Sequence, residues 1–441
     1  MKGLRLLTAV ACLGTFTGMA AAATLCVNPS GHMGCYTTIS AAVAAASAGD
    51  TIQVQDGTYH EAVTIMQPLS LMAAAGAHPV IDATNLPHGI WVNGMSTAPA
   101  PGVSNVVISG LKVQYADFEG ILLTNATNVA VVDNEVTEND QSLNPTNDTC
   151  PGLPTSYETN EGGDCGEGIH LMAVDHSTIL RNEVAHNAGG ILVTDETGPN
   201  AHNLISGNFV HDNVYDCGIT LASHAPARAI IPTATLSFGV WYNTISHNVS
   251  LRNGTQSPGA GVGIFAPSPG TTDTGNVVIN NIIRDNGATG VAMHNHAAPP
   301  APAPPVNFND NAIIGNFFSG NGPDNPGAPT PGPTAINIFS KAVITGTVVS
   351  QNTFENEAID VGFSAPAGQL NVQFNNFSRG IGVDNLSTGT VNASENWWHC
   401  PFGANGGAAC ATTNGTVWTT PWLTRPFESD RSTDADRGDH D

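Results

Sequence analysis

Two short runs carry a carboxylate in the same place: "EGILL" begins at Glu119 and "EGIHL" at Glu167. If these runs are copies of one repeated unit, the two carboxylates come together in space. His170 fills the variable place of the second run, and Asp195 and Glu196 follow the next apolar run, "GGILVT". Two carboxylates in differing surroundings can serve as acid and base, and their separation sets stereochemistry in glycoside hydrolysis. An imidazole beside them could carry a proton. Glu119, Glu167, His170 and Asp195 are therefore the candidate catalytic residues. The same oxygens could instead hold Ca2+, a hard cation that takes several such ligands. A third reading is plain solvation, an acidic face on an acidic chain. The insertion over 140–167 adds Asp148, Glu158, Glu161 and Asp164 nearby.

A second constellation lies in "AMHNHAAPPAPAPP", where His294 and His296 open a Pro-rich loop. Two histidines one residue apart on a strand share a face and could bind Cu2+ or Zn2+. His224 also opens a loop after its strand and is the candidate third ligand. His176 falls at a turn and reads as solvent-facing.

The elements that would position these groups follow from a repeat. Asn recurs at 134, 182, 208, 248, 281, 316, 352, 375 and 396, and a second Asn falls five positions on at 139, 187, 213, 253, 286 and 321. A short run of the type Gly-Ile-x-Val comes next. Apolar residues alternate in runs of three to five, rich in Val and Ile and bounded by Asn and Gly, which predicts strands rather than helices. Strands this short bury a face only when stacked coil on coil, roughly 4.8 Å apart. Asn suits the corners because it tolerates left-handed backbone angles, and stacked Asn residues would form a ladder. Ile and Val of each run point inward, so the residue between them points outward. That outward stripe is expected to include Leu122, His170, Leu192, Thr220, Phe265, Ala292, Asn337, Asp360 and Gly382. Insertions at 140–167, 254–262 and 322–334 precede the runs, and those at 223–240 and 294–308 follow them. Together they could wall a groove whose floor of Leu122, Leu192, Thr220 and Phe265 would suit sugar rings.

The ends fit a capped solenoid. Residues 36–49 predict a short amphipathic helix with Ile39, Val43 and Ala46 on one side, covering the open first coil. At the other end, 396–425 would close the last coil with Trp397, Trp398 and a disulfide. Residues 1–23 read as a secretory signal: Lys2 and Arg5, an apolar run, then Ala21-Ala22-Ala23. Beyond it Cys26/Cys35, Cys150/Cys165 and Cys400/Cys410 are sequence-close pairs expected to be disulfides in an oxidising compartment. Cys217 is left over as a small buried residue. Loss of Lys2 and Arg5 leaves ten bases against thirty-six acids, so the formal charge moves from −24 to −26. That charge excludes nucleic acid and anionic membrane as partners, which need clustered Lys and Arg. No segment is long and apolar enough to span a membrane. The acidic tail over 426–441 lacks any apolar period and reads as disordered.

"TISAAVAAASAGDTIQVQDGTYHEAVTI", the Asn and Gly-Ile coils and the closing "NWW" resemble secreted right-handed parallel β-helix proteins with the pectin-lyase-like fold, over roughly 36–425. The resemblance implies an all-β, single-stranded right-handed parallel β-helix of about ten coils. That fold hosts polysaccharide lyases, hydrolases, uronan epimerases, a periplasmic copper-site maturation protein and non-catalytic adhesins. The signal segment, the acidic pair and the groove together point to an exported monomer, secreted or periplasmic, that binds an extracellular polysaccharide, with lyase, hydrolase or epimerase action left open. The alternatives are a structural or adhesive surface protein and a periplasmic metal-handling protein. The Asp set and Gly-His-Gly of polygalacturonase-type hydrolases are absent, as is the Asp-Pro-His-Asp of alginate-epimerase-like chains. Arg181, Arg228, Arg252, Arg284 and Arg379, where a pectate-lyase-type base would be sought, show no pairing in sequence with the acidic cluster.

Overall fold

The computed structural model describes residues 22–95, 102–147, 149–154, 166–224, 238–295, 306–324, 329–366 and 369–428. His296, Arg228, Cys165, Asp148, Glu158, Glu161, Asp164, and most of the predicted signal and tail lie outside them. Every strand pairing is parallel, and each strand pairs with its counterpart in the next coil. The chain winds as a right-handed parallel β-helix, the hand that parallel crossovers take. Three stacked columns of Val and Ile form the core. One runs Ile90, Ile121, Ile169, Ile191, Ile219, Val262, Val291, Ile336, Val361. Another runs Val131, Ile179, Ile205, Ile245, Val278, Ile313, Val349. The third belongs to a separate ten-stranded sheet and includes Val113, Val136, Val184, Val210, Ile283 and Phe318.

Both Asn ladders form. Asn134 Nδ2 donates to Asn182 Oδ1 at 3.0 Å, and the chain of bonds continues through 208, 248, 281, 316, 352 and 375 to Asn396. The second ladder runs from Asn139 to Asn321 and ends on Glu357, whose Oε1 takes the bond from Asn321 Nδ2 at 2.9 Å. A third ladder, unread in the sequence, links Asn203, Asn243, Asn276 and Asn311 at the remaining corner.

The left-handed backbone belongs to the residue before each ladder Asn: Asp133, Arg181, His247, Gln351 and Phe374 all have φ between 53° and 61°. The Asn amide must point into the corner to bond coil to coil, so the preceding residue takes the bend and projects its side chain outward. Asn is selected for its side-chain amide, not for its backbone tolerance.

The caps are as expected in kind. Ile39–Ala45 is helical, with the Thr38 side chain capping Ala41 N–H at 3.2 Å and Ile39, Ala42 and Val43 buried. Glu61 reinforces the same end by accepting from Ile39 N–H at 2.7 Å and Ser40 N–H at 2.8 Å. Cys26–Cys35 and Cys400–Cys410 are disulfides; the partner proposed for Cys150 lies outside the described residues. Phe318, Phe354, Phe377 and Trp398 stack in turn toward the C-terminal end, where Trp398 is fully buried. Trp398→Ala should cost about 3–5 kcal/mol by leaving that last core layer empty; urea unfolding would measure it.

Candidate functional site

Strands begin at His88, Glu119 and Glu167, and the register sets Glu119 beside His88, with Glu167 one coil further on. The adjoining outward column runs Trp91, Leu122, His170, Leu192, Thr220. Two columns thus bring Glu119, Glu167 and His170 together, with one donor atom from each lying within 4.8 Å of the others.

Glu119 holds the cluster together. Its Oε1 lies 2.8 Å from His170 Nδ1, and its Oε2 accepts the Glu167 backbone N–H at 2.9 Å. His170 Nε2 lies 2.8 Å from Thr194 Oγ1. One ring nitrogen of His170 thus faces the Glu119 carboxylate and the other the Thr194 hydroxyl, so the ring is held in a set orientation. Carboxylate, imidazole and hydroxyl stand in the order of a nucleophilic triad. Burial decides against that chemistry: Glu119, His170 and Thr194 are each 0 % exposed, so no substrate reaches the hydroxyl.

His88 belongs to this site, and the sequence reading passed over it. Its run "HGIWV" has the form of the later copies, with His where they carry Glu, and that was the available signal. His88 is 6 % exposed, and neither ring nitrogen has a hydrogen-bond partner among the described residues. Burial drives its pKa down to about 4, against the opposing pull of Glu119, so the ring is neutral with a free lone pair. Trp91 packs edge-on against it at 5.3 Å. Beside the cluster, Leu122 and Met172 form a small apolar group with Trp91 and Met95.

Asp195 does not join the cluster. It is buried one residue past Thr194 and accepts from His224 N–H at 2.7 Å, Ser223 Oγ at 3.2 Å and Gly239 N–H. It organises the turns of the next coils. Its charge adds to burial in pushing the fully buried Asp273 carboxyl well above the usual range. His224 sits on Glu196, Nδ1 to Oε1 at 3.1 Å. His294 lies elsewhere, in register with Phe265 and Phe339, its Nε2 2.8 Å from Asp324 Oδ2. His224 and His294 therefore each face their own carboxylate, and among the described residues neither belongs to a group of three close donors.

Phe265 leaves the expected stripe as well. Thr220 pairs with Gly263, so Phe265 falls two residues on, in the column of Ala222 and His294. Its ring covers Gly263, where any side chain would collide with it. The apparent Gly263-Ile264-Phe265 copy is misaligned because Gly261-Val262-Gly263-Ile264 is the true unit. The same shift replaces Asp360 and Gly382 by Gly362 and Asp384. Leu122, Leu192 and Thr220 hold their expected register but are buried, so they do not form an open floor. The arginines serve the corners: Arg181 pairs with Asp133 and Arg252 with Asp212, each through two bonds of 2.7 Å.

Fold and site define a parallel β-helix protein with a closed carboxylate–imidazole cluster on one sheet. The chain belongs to the family described as "Periplasmic copper-binding protein (NosD)", whose model matches residues 103–357. It is thus extracytoplasmic, and none of its described helices is long and apolar enough to cross a membrane. No curated protein sequence matches it. Among solved structures it is similar to pectate lyase Pel9A at 15 % identity, covering 76 % of this chain and 79 % of that one, with a TM-score of 0.46. It is also similar to DFA-IIIase from Arthrobacter chlorophenolicus A6 at 13 % identity, with 86 % and 90 % covered and a TM-score of 0.48. The A-module of Azotobacter vinelandii mannuronan C-5 epimerase AlgE6 matches at 12 % identity, with 87 % and 93 % covered and a TM-score of 0.39.

Proposed function

We propose that this protein is a periplasmic metal-binding scaffold that holds a transition-metal ion, copper first, at Glu119, Glu167 and His170, with His88 as a further donor. The observation that carries the reading is the closed Glu119–Glu167–His170 cluster beside the neutral, unpartnered imidazole of His88. Closure favours an ion over a polymer, because a sugar chain needs an open floor. The donor chemistry favours a transition metal over Ca2+, which wants six to eight oxygens and no imidazole. Among divalent ions, a mixed nitrogen and oxygen site binds Cu2+ most tightly. The family's description as copper-binding points the same way.

Metal content after copper loading and dialysis, read with the copper electron paramagnetic resonance signal, tests this. The parent should retain copper, while Glu119→Gln and His170→Gln lower its affinity by roughly 10–100-fold or more. Retention unchanged in both variants, with far-ultraviolet dichroism like the parent's, would overturn the site. Running the same proteins on polyuronates and neutral glycans separates the glycan reading. Glycan binding or turnover that copper leaves unaltered would favour that reading instead.

A further inference from the structure

A second histidine pair lies on the outside of the solenoid. Asp175 is in register with Ala201, which is in register with Trp241. The residues that follow, His176, His202 and Tyr242, therefore occupy one corner on three successive coils. All three have left-handed backbone, with φ of 49°, 57° and 56°. Just inside that corner Ser177 N–H donates to Asn203 Oδ1 at 2.9 Å and Asn203 N–H to Asn243 Oδ1 at 3.0 Å. The third Asn ladder thus fixes the backbone from which the side chains project.

Those side chains converge. His176 Nδ1 lies 2.8 Å and His202 Nδ1 3.1 Å from the two oxygens of Asp175. The two imidazoles stack at 4.7 Å, and Tyr242 stacks on His202 at 5.7 Å. A donor atom from each of Asp175, His176 and His202 lies within 4.8 Å of the others, and all three side chains are at least 45 % exposed.

We infer that Asp175, His176 and His202 form a surface site for a divalent transition-metal ion of the zinc class, separate from the buried cluster. Two imidazoles and one carboxylate supply three ligands and leave the fourth position of a tetrahedral ion to water. The rigid corner places the donors in advance, and solvent exposure lets the rings turn the small amount needed to face a common ion. The strand register that spaces the two histidines by one coil does the work that i, i+4 spacing does on a helix.

Zn2+ titration calorimetry on the full chain tests it, with His176→Ala, His202→Ala and Asp175→Asn beside the parent. Either histidine variant should lose one zinc equivalent, or bind it more than about tenfold weaker. Asp175→Asn should weaken it less than removal of an imidazole. His170→Gln, which addresses the buried cluster, should leave this equivalent intact, so the two sites succeed or fail separately. Because the substituted residues are exposed, the variants should melt with the parent. Equal zinc stoichiometry and affinity in parent, His176→Ala and His202→Ala would overturn the inference and leave a hydrogen-bonded surface network.

Discussion

Asn248→Ala is expected to destabilise the protein by about 3–5 kcal/mol, although the side chain touches no site. Asn248 Oδ1 accepts from both the backbone N–H and the side-chain amide of Asn208, each at 2.9 Å. Its own amide donates to Ile205 O and to Asn281 Oδ1, each at 3.0 Å. Truncation leaves two buried donors of Asn208 without acceptors, at about 1–3 kcal/mol each, and removes the bond to the Ile205 carbonyl. Asn248→Asp should cost at least as much, since it loses both donated bonds and buries a charge. Urea unfolding followed by far-ultraviolet dichroism measures both. A loss under about 1 kcal/mol would mean that the ladder decorates the corner rather than holding it.

Glu357→Gln should make the protein more stable above pH 7, by up to about 3 kcal/mol. Glu357 stands where an Asn would continue the second ladder, and burial pushes its pKa up to about 7, with the bonds from Asn321 pulling the other way. The folded carboxyl then holds its proton more tightly than the unfolded one. Between about pH 4.5 and 7 the folded state binds more protons, so this group lowers stability as pH rises through that window and then levels off. Gln keeps the acceptor for Asn321 and cannot ionise. The difference between variant and parent should therefore grow from pH 5 to pH 7.5 in thermal melts. A difference that is flat over that window would show that Glu357 is as readily ionised folded as unfolded.

Glu119, Glu167 and His170 were legible because each occupies a fixed place in a recurring run, and parallel register then makes equal places neighbours. His88 follows the same rule but was passed over, since its copy of the run lies upstream of the first one aligned. Phe265 was misplaced for the opposite reason. Two overlapping glycines, Gly261 and Gly263, offer two alignments of one run, and only the pairing of Thr220 with Gly263 chooses between them.

By itself, the sequence determined the solenoid, its caps, two ladders and the column that brings two glutamates together. A period-two strand pattern repeated with Asn at constant spacing has few other ways to bury its apolar face. Tertiary structure decided what the outward residues meet. Leu122 and His170 are buried rather than lining an open groove, and no periodicity encodes that. It also decided that His176 meets His202 from one coil to the next, whereas His224 and His294 each settle on their own carboxylate. Repeats specify stacking because each coil sees only its neighbours; insertions follow no repeat, so their contacts emerge only from the folded chain.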